Sequence, residues 1–158
     1  FKTEYFENIY SNMRSGIISH SEHLTCDNID QLLCGIDFVF VCIDDAKARI
    51  FTTEFLGYSN IPFIDTGIGL YVTRNEISGQ IRTTCCNADS FDKIKDYIPT
   101  TNPEIDNAYK TNIQIAEINA LNAALAVMKW KQFKGFYNMQ INNNDYVFSI
   151  NDMTLNKR

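Results

Sequence analysis

Six apolar side chains without a break, Phe38 to Ile43, followed at once by two acids, constrain this chain more than any other stretch: "DFVFVCIDDAKAR", Asp37 to Arg49. A half-exposed strand alternates apolar and polar residues, whereas an unbroken apolar run has both faces covered. That is the situation of a parallel strand with helices on either side. The segment after it, Ala46 to Gly57, places Ile50, Phe51, Phe55 and Leu56 as a helical stripe. "IPFIDTG" then reads as a second strand, led in by Pro62. Strand, helix and strand in this order make a βαβ unit with a right-handed crossover.

Asp44 and Asp45 fall where the first strand delivers the chain to the helix. In open α/β sheets that carboxyl end faces the ligand crevice. Asp45 fits the helix N-cap, where its side chain satisfies an orphan N–H. Asp44 fits capping less well. Adjacent carboxylates at a strand end also suit Mg²⁺, which takes one or two of them together with phosphate oxygens. No glycine-rich phosphate loop accompanies them; "DTGIGL" precedes β-rich residues rather than a helix, so Gly67 and Gly69 read as turn geometry.

The remaining pattern is mixed. Phe6, Ile9, Tyr10 and Met13 have helical spacing over 2–14, stopped by Gly16. Ile17 and Ile18 form a short β-branched run, and "DNIDQLLCG" reads as a short helix capped near Asp27 and closed by Gly35. "GLYVTRNEISGQIRTTCCNA" reads as an antiparallel hairpin turning between Asn75 and Gly79. Residues 88–108 are acidic and hold two of the three prolines, which predicts a long mobile loop with a helical turn near Phe91–Tyr97. "NIQIAEINALNAALAVMKWKQF" is the strongest helix. Ile118, Leu121, Leu125 and Met128 mark one face, with Ala120, Ala123, Ala124 and Ala126 for close packing on a sheet or a second subunit. Lys129, Lys131 and Lys134 suit its negative pole. The tail "FYNMQINNNDYVFSI" predicts a hairpin turning at "NNND".

Bulk properties narrow the class. With 158 residues the chain suits one compact domain. A net charge of −5 without a basic run argues against nucleic acid or an anionic membrane as partner. No run approaches the ~20 apolar residues of a membrane span. The opening "FKTEYFENIY" is no signal peptide, and without an initial Met residue 1 is not expected to be the natural start. Five Cys with no C-x-x-C pair, and only His20 and His23 to help them, favour structural thiols in a reducing cytoplasm over zinc.

Four blocks in order, "DFVFVCIDDAKAR", "IPFIDTGIGLYV", "GQIRTT" and "TNIQIAEINALNAALAVMKWKQFKGFY", resemble the ThiF/MoeB/HesA family of E1-like enzymes. These activate ubiquitin-like and sulfur-carrier proteins, and the likeness is nearest to bacterial ThiF-domain proteins. The resemblance implies a Rossmann-like α/β adenylation fold, with a mixed sheet, an antiparallel hairpin and a C-terminal β tail. It implies ATP and Mg²⁺ as cofactors, a carrier protein as partner, and a homodimer. By position, Asp44 matches the family's Asp that works with Mg²⁺ and the ATP phosphates, and Asp45 fills the variable slot beside it. Lys2 matches a phosphate-contacting Lys at a helix start, although a solvated first-turn lysine is the plain alternative. Arg49 also falls on a family position, where an internal salt bridge explains it equally well.

The departures are as informative. The family's glycine-rich βαβ unit is expected before residue 1, so the chain corresponds to a single partial domain, its C-terminal part, inactive by itself. Cys85–Cys86 cannot reproduce the paired zinc ligands of many relatives, and 88–108 lacks an acceptor Cys. Two rivals remain: a non-catalytic dimerisation and carrier-docking module, and a nicotinamide dehydrogenase, for which His20 and His23 are poor proton relays.

Overall fold

A computed structural model describes residues 1–87, 90–99, 115–139 and 143–158. Two compact units are separable, Phe1–Cys34 and Gly35–Arg158. The first holds helix α1, Lys2–Tyr10, and helix α2, Ile29–Leu32. α1 ends four residues short of the predicted boundary, and its apolar stripe is exposed, with Phe6 stacked on Tyr10 one turn along. Ile17 and Ile18 form no strand. Asn28, not Asp27, occupies the N-cap of α2; its side chain instead ties the preceding turn, accepting from Thr25 N at 2.8 Å and donating to His23 O at 2.9 Å. Gly35, at φ +74°, supplies the left-handed turn that follows.

The second unit is a five-stranded sheet in sequential order. Strand β1 is Val39–Val41, followed by helix α3, Ala46–Tyr58. β2, Phe63–Thr73, lies parallel to β1 with Val39 opposite Phe63. β3, Glu76–Cys86, returns antiparallel along the full length of β2. After helix α4, Phe91–Ile94, with a 3-10 turn over Lys95–Tyr97, comes helix α5, Ala116–Phe133. β4, Asp145–Ser149, and β5, Thr154–Lys157, complete the antiparallel side. Of the predicted 88–108 loop, 88–89 and 100–108 lie outside the described residues. Among the described residues no helix is long and apolar enough to cross a membrane.

Strand alternation sorts the sheet into two faces. On one, Ile64 and Cys85 meet Ala126 of α5, with Phe38 and Trp130 packed around them. On the other, Val41, Phe63 and Cys86 lie toward α3 and α4, and Asp65, Arg82, Thr84 and Asp145 continue the row. β1 is therefore covered less completely than an unbroken apolar run predicts: Phe40 remains 42% exposed at the end of the strand order.

The helices bury different residues from those the periodicity favours. In α3 the buried set is Ala46, Thr52, Thr53, Leu56 and Gly57, while Ile50, Phe51 and Phe55 are half-buried. Both threonines enter the core because their hydroxyls donate to carbonyls one turn back, Thr52 to Ala48 O and Thr53 to Arg49 O. In α5 the buried residues are Asn122, Ala126 and Lys129, and Met128 is 54% exposed. That helix is apolar nearly all round, so its pattern names no single face. Asn122 reaches Gly67 O at 3.2 Å and accepts from the Thr83 hydroxyl at 3.2 Å. Lys129 does not serve the helix pole; it donates to Asn143 O at 2.6 Å and lies 5.1 Å from the Tyr146 ring centroid.

The turns also differ. The central hairpin reverses at Arg74–Asn75, both at positive φ (52° and 66°), the conformation a two-residue hairpin loop requires. Gly79 is not part of that turn. It sits inside β3 at φ +147°, where an added Cβ would lie 2.1 Å from Gly69 O. Gly67 and Gly69 are likewise strand residues. A tail hairpin joins β4 to β5 through 150–153; of the predicted hairpin turning at "NNND", residues 140–142 lie outside the described residues.

Gly57 marks the tightest helix contact, since a Cβ there would lie 2.3–2.6 Å from ring atoms of Phe91. Gly57→Ala is expected to cost about 1–3 kcal/mol in urea denaturation. An unchanged midpoint would contradict this packing.

Candidate functional site at the carboxyl end of β1

The chain leaves β1 through Cys42 and Ile43 and enters α3 at Ala46. Three contacts fix this passage. The Thr66 hydroxyl, on the neighbouring strand, donates to Val41 O at 3.2 Å. The Arg49 guanidinium donates to Ile43 O. Asp45, in extended conformation, accepts from Ala48 N at 2.8 Å through Oδ1, an N-cap that ties the helix start. Asp44 lies between the last two contacts. It is exposed, and no described residue makes a hydrogen bond or ion pair with its carboxylate.

Through Arg49 this passage joins an ionic row that sequence reasoning did not find. Asp65, on β2, is fully buried; its Oδ2 is paired with Arg82 of β3 and its Oδ1 lies 3.5 Å from Arg49 Nε. Arg82 also donates to the Thr84 hydroxyl, which donates to the buried Asp145, and Arg158 closes the row on Asp145 Oδ2 at 2.8 Å. Burial pushes the Asp65 carboxyl above its usual range, against the pull of Arg82 and Arg49. Gly67 makes space for this row: a Cβ there would lie 3.0 Å from an Arg82 nitrogen. The available signal was an Asp and an Arg inside segments read as β-strand, since such charges are buried only when paired.

The other predicted residues are placed as follows. Lys2 is exposed in the first turn of α1, in the N-terminal unit. His20 and His23 are exposed in that unit. Cys42 is exposed just beyond β1, not inside it, with its sulfur 3.5 Å from the Thr66 hydroxyl. Among the described residues no three His, Cys, Asp or Glu cluster as a metal-ligand set. Mg²⁺ at Asp44 would therefore draw its remaining ligands from phosphate oxygens and water, the usual mode for this ion. The exposed, unengaged carboxylate fits that role. A separate cleft of about 190 Å³, lined by Lys93, Ile94, Tyr97, Asn143, Asn144 and Arg158, contains none of the predicted site residues.

Comparison with solved structures gives the fold. PaaA superposes with a TM-score of 0.66 at 13% identity, over 99% of this chain and 54% of that one. E. coli MccB crystallised with ATP gives a TM-score of 0.61 at 17% identity, over 100% of this chain and 47% of MccB. MccB with AMPCPP and MccA gives 0.60 at 19%, over 99% and 47%. The chain shares the fold of PaaA and MccB. It spans about half the length of each. No protein-family model matches the sequence, and no curated protein matches it.

The vicinal thiols make a poor nucleophile. Cys85 and Cys86 are buried, and burial pushes both from the usual 9.0 to about 11. A thiol reagent at neutral pH is expected to modify Cys26, Cys34 and Cys42 quickly and the other two only on unfolding. The pH dependence has a definite sign. Above pH 9.0 the unfolded chain releases thiol protons that the folded chain retains up to about 11, so stability falls across that window. Five fast thiols, or flat alkaline stability, would contradict the burial.

Proposed function

We propose that the full-length protein is an E1-like adenylating enzyme, which joins the C-terminal carboxylate of a peptide or carrier protein to AMP. The observation that carries this reading is Asp44, an exposed carboxylate without a partner among the described residues, at the carboxyl end of a parallel strand. The shared fold supports it, as do the MccB crystals with ATP and with MccA. In this reading the whole chain is one partial domain of such an enzyme, from a cytoplasmic bacterial protein that works as a homodimer. A ubiquitin-like or sulfur-carrier protein is the partner.

In the reaction a carboxylate oxygen of the carrier attacks the α-phosphorus of ATP, the bond from that phosphorus to the bridging oxygen breaks, and pyrophosphate leaves. Two anions must approach each other, so alignment and charge neutralisation lower the barrier more than covalent help does. Mg²⁺ held by Asp44 would neutralise phosphate charge. Asp44 fixes where that charge sits. Lys2, in the N-terminal unit, keeps here only the phosphate-contacting role that the family resemblance gives it. Asp45 contributes by its cap, keeping the helix start and the Asp44 backbone in place.

Val127 and Met128, exposed on α5, favour a second reading in which the fold only dimerises or docks a carrier. Isotope exchange between pyrophosphate and ATP distinguishes the two. Asp44→Ala in the full-length protein is expected to lower carrier-dependent exchange about 100-fold or more, with the melting temperature unchanged. Exchange at the wild-type rate in that variant would remove the assignment, and no exchange in the wild type would favour the docking module.

A further inference from the structure

We propose that Arg49 is a positioning residue for Asp44, anchored by Asp65 and acting through the Ile43 carbonyl; this deepens, and rests on, the adenylation reading. Arg49 lies in the first turns of α3, yet its guanidinium folds back past its own helix start to the carbonyl immediately before Asp44. Its Nε faces Asp65 Oδ1 at 3.5 Å, and the Asp65 side chain is completely buried and held from its other side by Arg82. The anchor is a buried carboxylate on a neighbouring strand rather than a side chain on the surface, held to Arg49 by charge, with no hydrogen bond between Nε and Oδ1.

The consequence for Asp44 is geometric. Val41 O is held by Thr66, Ile43 O by Arg49, and Asp45 by Ala48 N. Backbone is fixed on both sides of Asp44, while its own carboxylate is left without a partner among the described residues. A metal ligand gains affinity when its orientation is set before the metal arrives, and groups behind the ligand do that work. Only a planar fork can donate to a carbonyl while facing a carboxylate in a fixed arrangement. A lysine offers one freely rotating ammonium, so Arg49→Lys keeps the charge and loses the geometry.

A buried ion pair that merely stabilises the fold would behave differently, and binding measurements on the full-length protein separate the two. The probe is ATP with Mn²⁺ in place of Mg²⁺, bound metal being read by electron paramagnetic resonance, and metal-free ATP being titrated in parallel with a chelator present. Arg49→Lys is expected to weaken Mn²⁺–ATP binding about 10–100-fold while metal-free ATP binding stays within about twofold. Asp65→Asn, which keeps the shape and removes the anchoring charge, is expected to do the same. Wild-type Mn²⁺–ATP affinity in both variants would overturn the proposal, as would an equal loss of metal-free binding. If neither variant folds, the pair is a folding determinant and the positioning role falls. Asp44→Asn is the separate control: unchanged metal binding there overturns the adenylation site itself, whatever Arg49 does.

Discussion

A carboxylate with no access to water, Asp65, lies between two guanidinium groups, and much of the second unit is arranged around that fact. Removing one partner of such a pair leaves an uncompensated buried charge, at a cost of about 3–5 kcal/mol, whereas the intact pair adds little net stability. The row therefore matters for what it fixes more than for what it adds. Asp65 belongs to β2, Arg82 to β3, Arg49 to α3 and Asp145 to β4, with Arg158 at the end of β5. One row of ion pairs, bridged between Arg82 and Asp145 by the Thr84 hydroxyl, crosses four strands and ends at the loop that carries Asp44. Gly67, without a side chain, leaves room for the Arg82 guanidinium, one nitrogen of which would lie 3.0 Å from an added Cβ.

The two faces of the sheet divide the labour. Beneath α5 the contacts are mostly apolar, with Ala126 bringing the helix close to Ile64 and Cys85. Two polar exceptions, Asn122 and Lys129, bind particular carbonyls and so fix the helix in rotation where an all-round apolar surface would not. Burial lowers the basicity of Lys129, which makes that placement costly and its bond to Asn143 O correspondingly important. The opposite face is apolar toward α3 and α4 and ionic beyond them. The candidate site stands where these regions meet, with its backbone held from the ionic side.

Much of this was legible in the sequence. The run Phe38–Ile43 announced β1 and its parallel neighbour, and the β-rich segment from Gly69 announced the hairpin, whose first arm proves continuous with the preceding strand. Asp45 as the cap of α3 followed from the chemistry of an N-cap alone. Glycine misled, because it marks two situations with one letter: Gly79 looked like a turn but answers to the close approach of the Gly69 carbonyl. Periodicity misled in α3 and α5, where threonines with satisfied hydroxyls, an asparagine and a lysine hold positions that hydrophobicity would have given to Phe51 or Met128. The ionic row was least legible. Asp65 and Arg82 are 17 residues apart, and only the register of β2 against β3 brings them together.

Arg49 and Asp44 belong together, because one end of the buried row holds the peptide next to Asp44, whose own carboxylate has no partner among the described residues. The central claim is that Asp44 faces bound nucleotide through a divalent ion. A crystal of the full-length protein grown with ATP and Mn²⁺ tests it directly, since near its absorption edge Mn²⁺ scatters anomalously far more strongly than the phosphorus of ATP. The expected result is an anomalous peak within coordination distance of Asp44 and of phosphate oxygens. A nucleotide-bound metal held by other residues, with the Asp44 carboxylate turned to solvent, would contradict it.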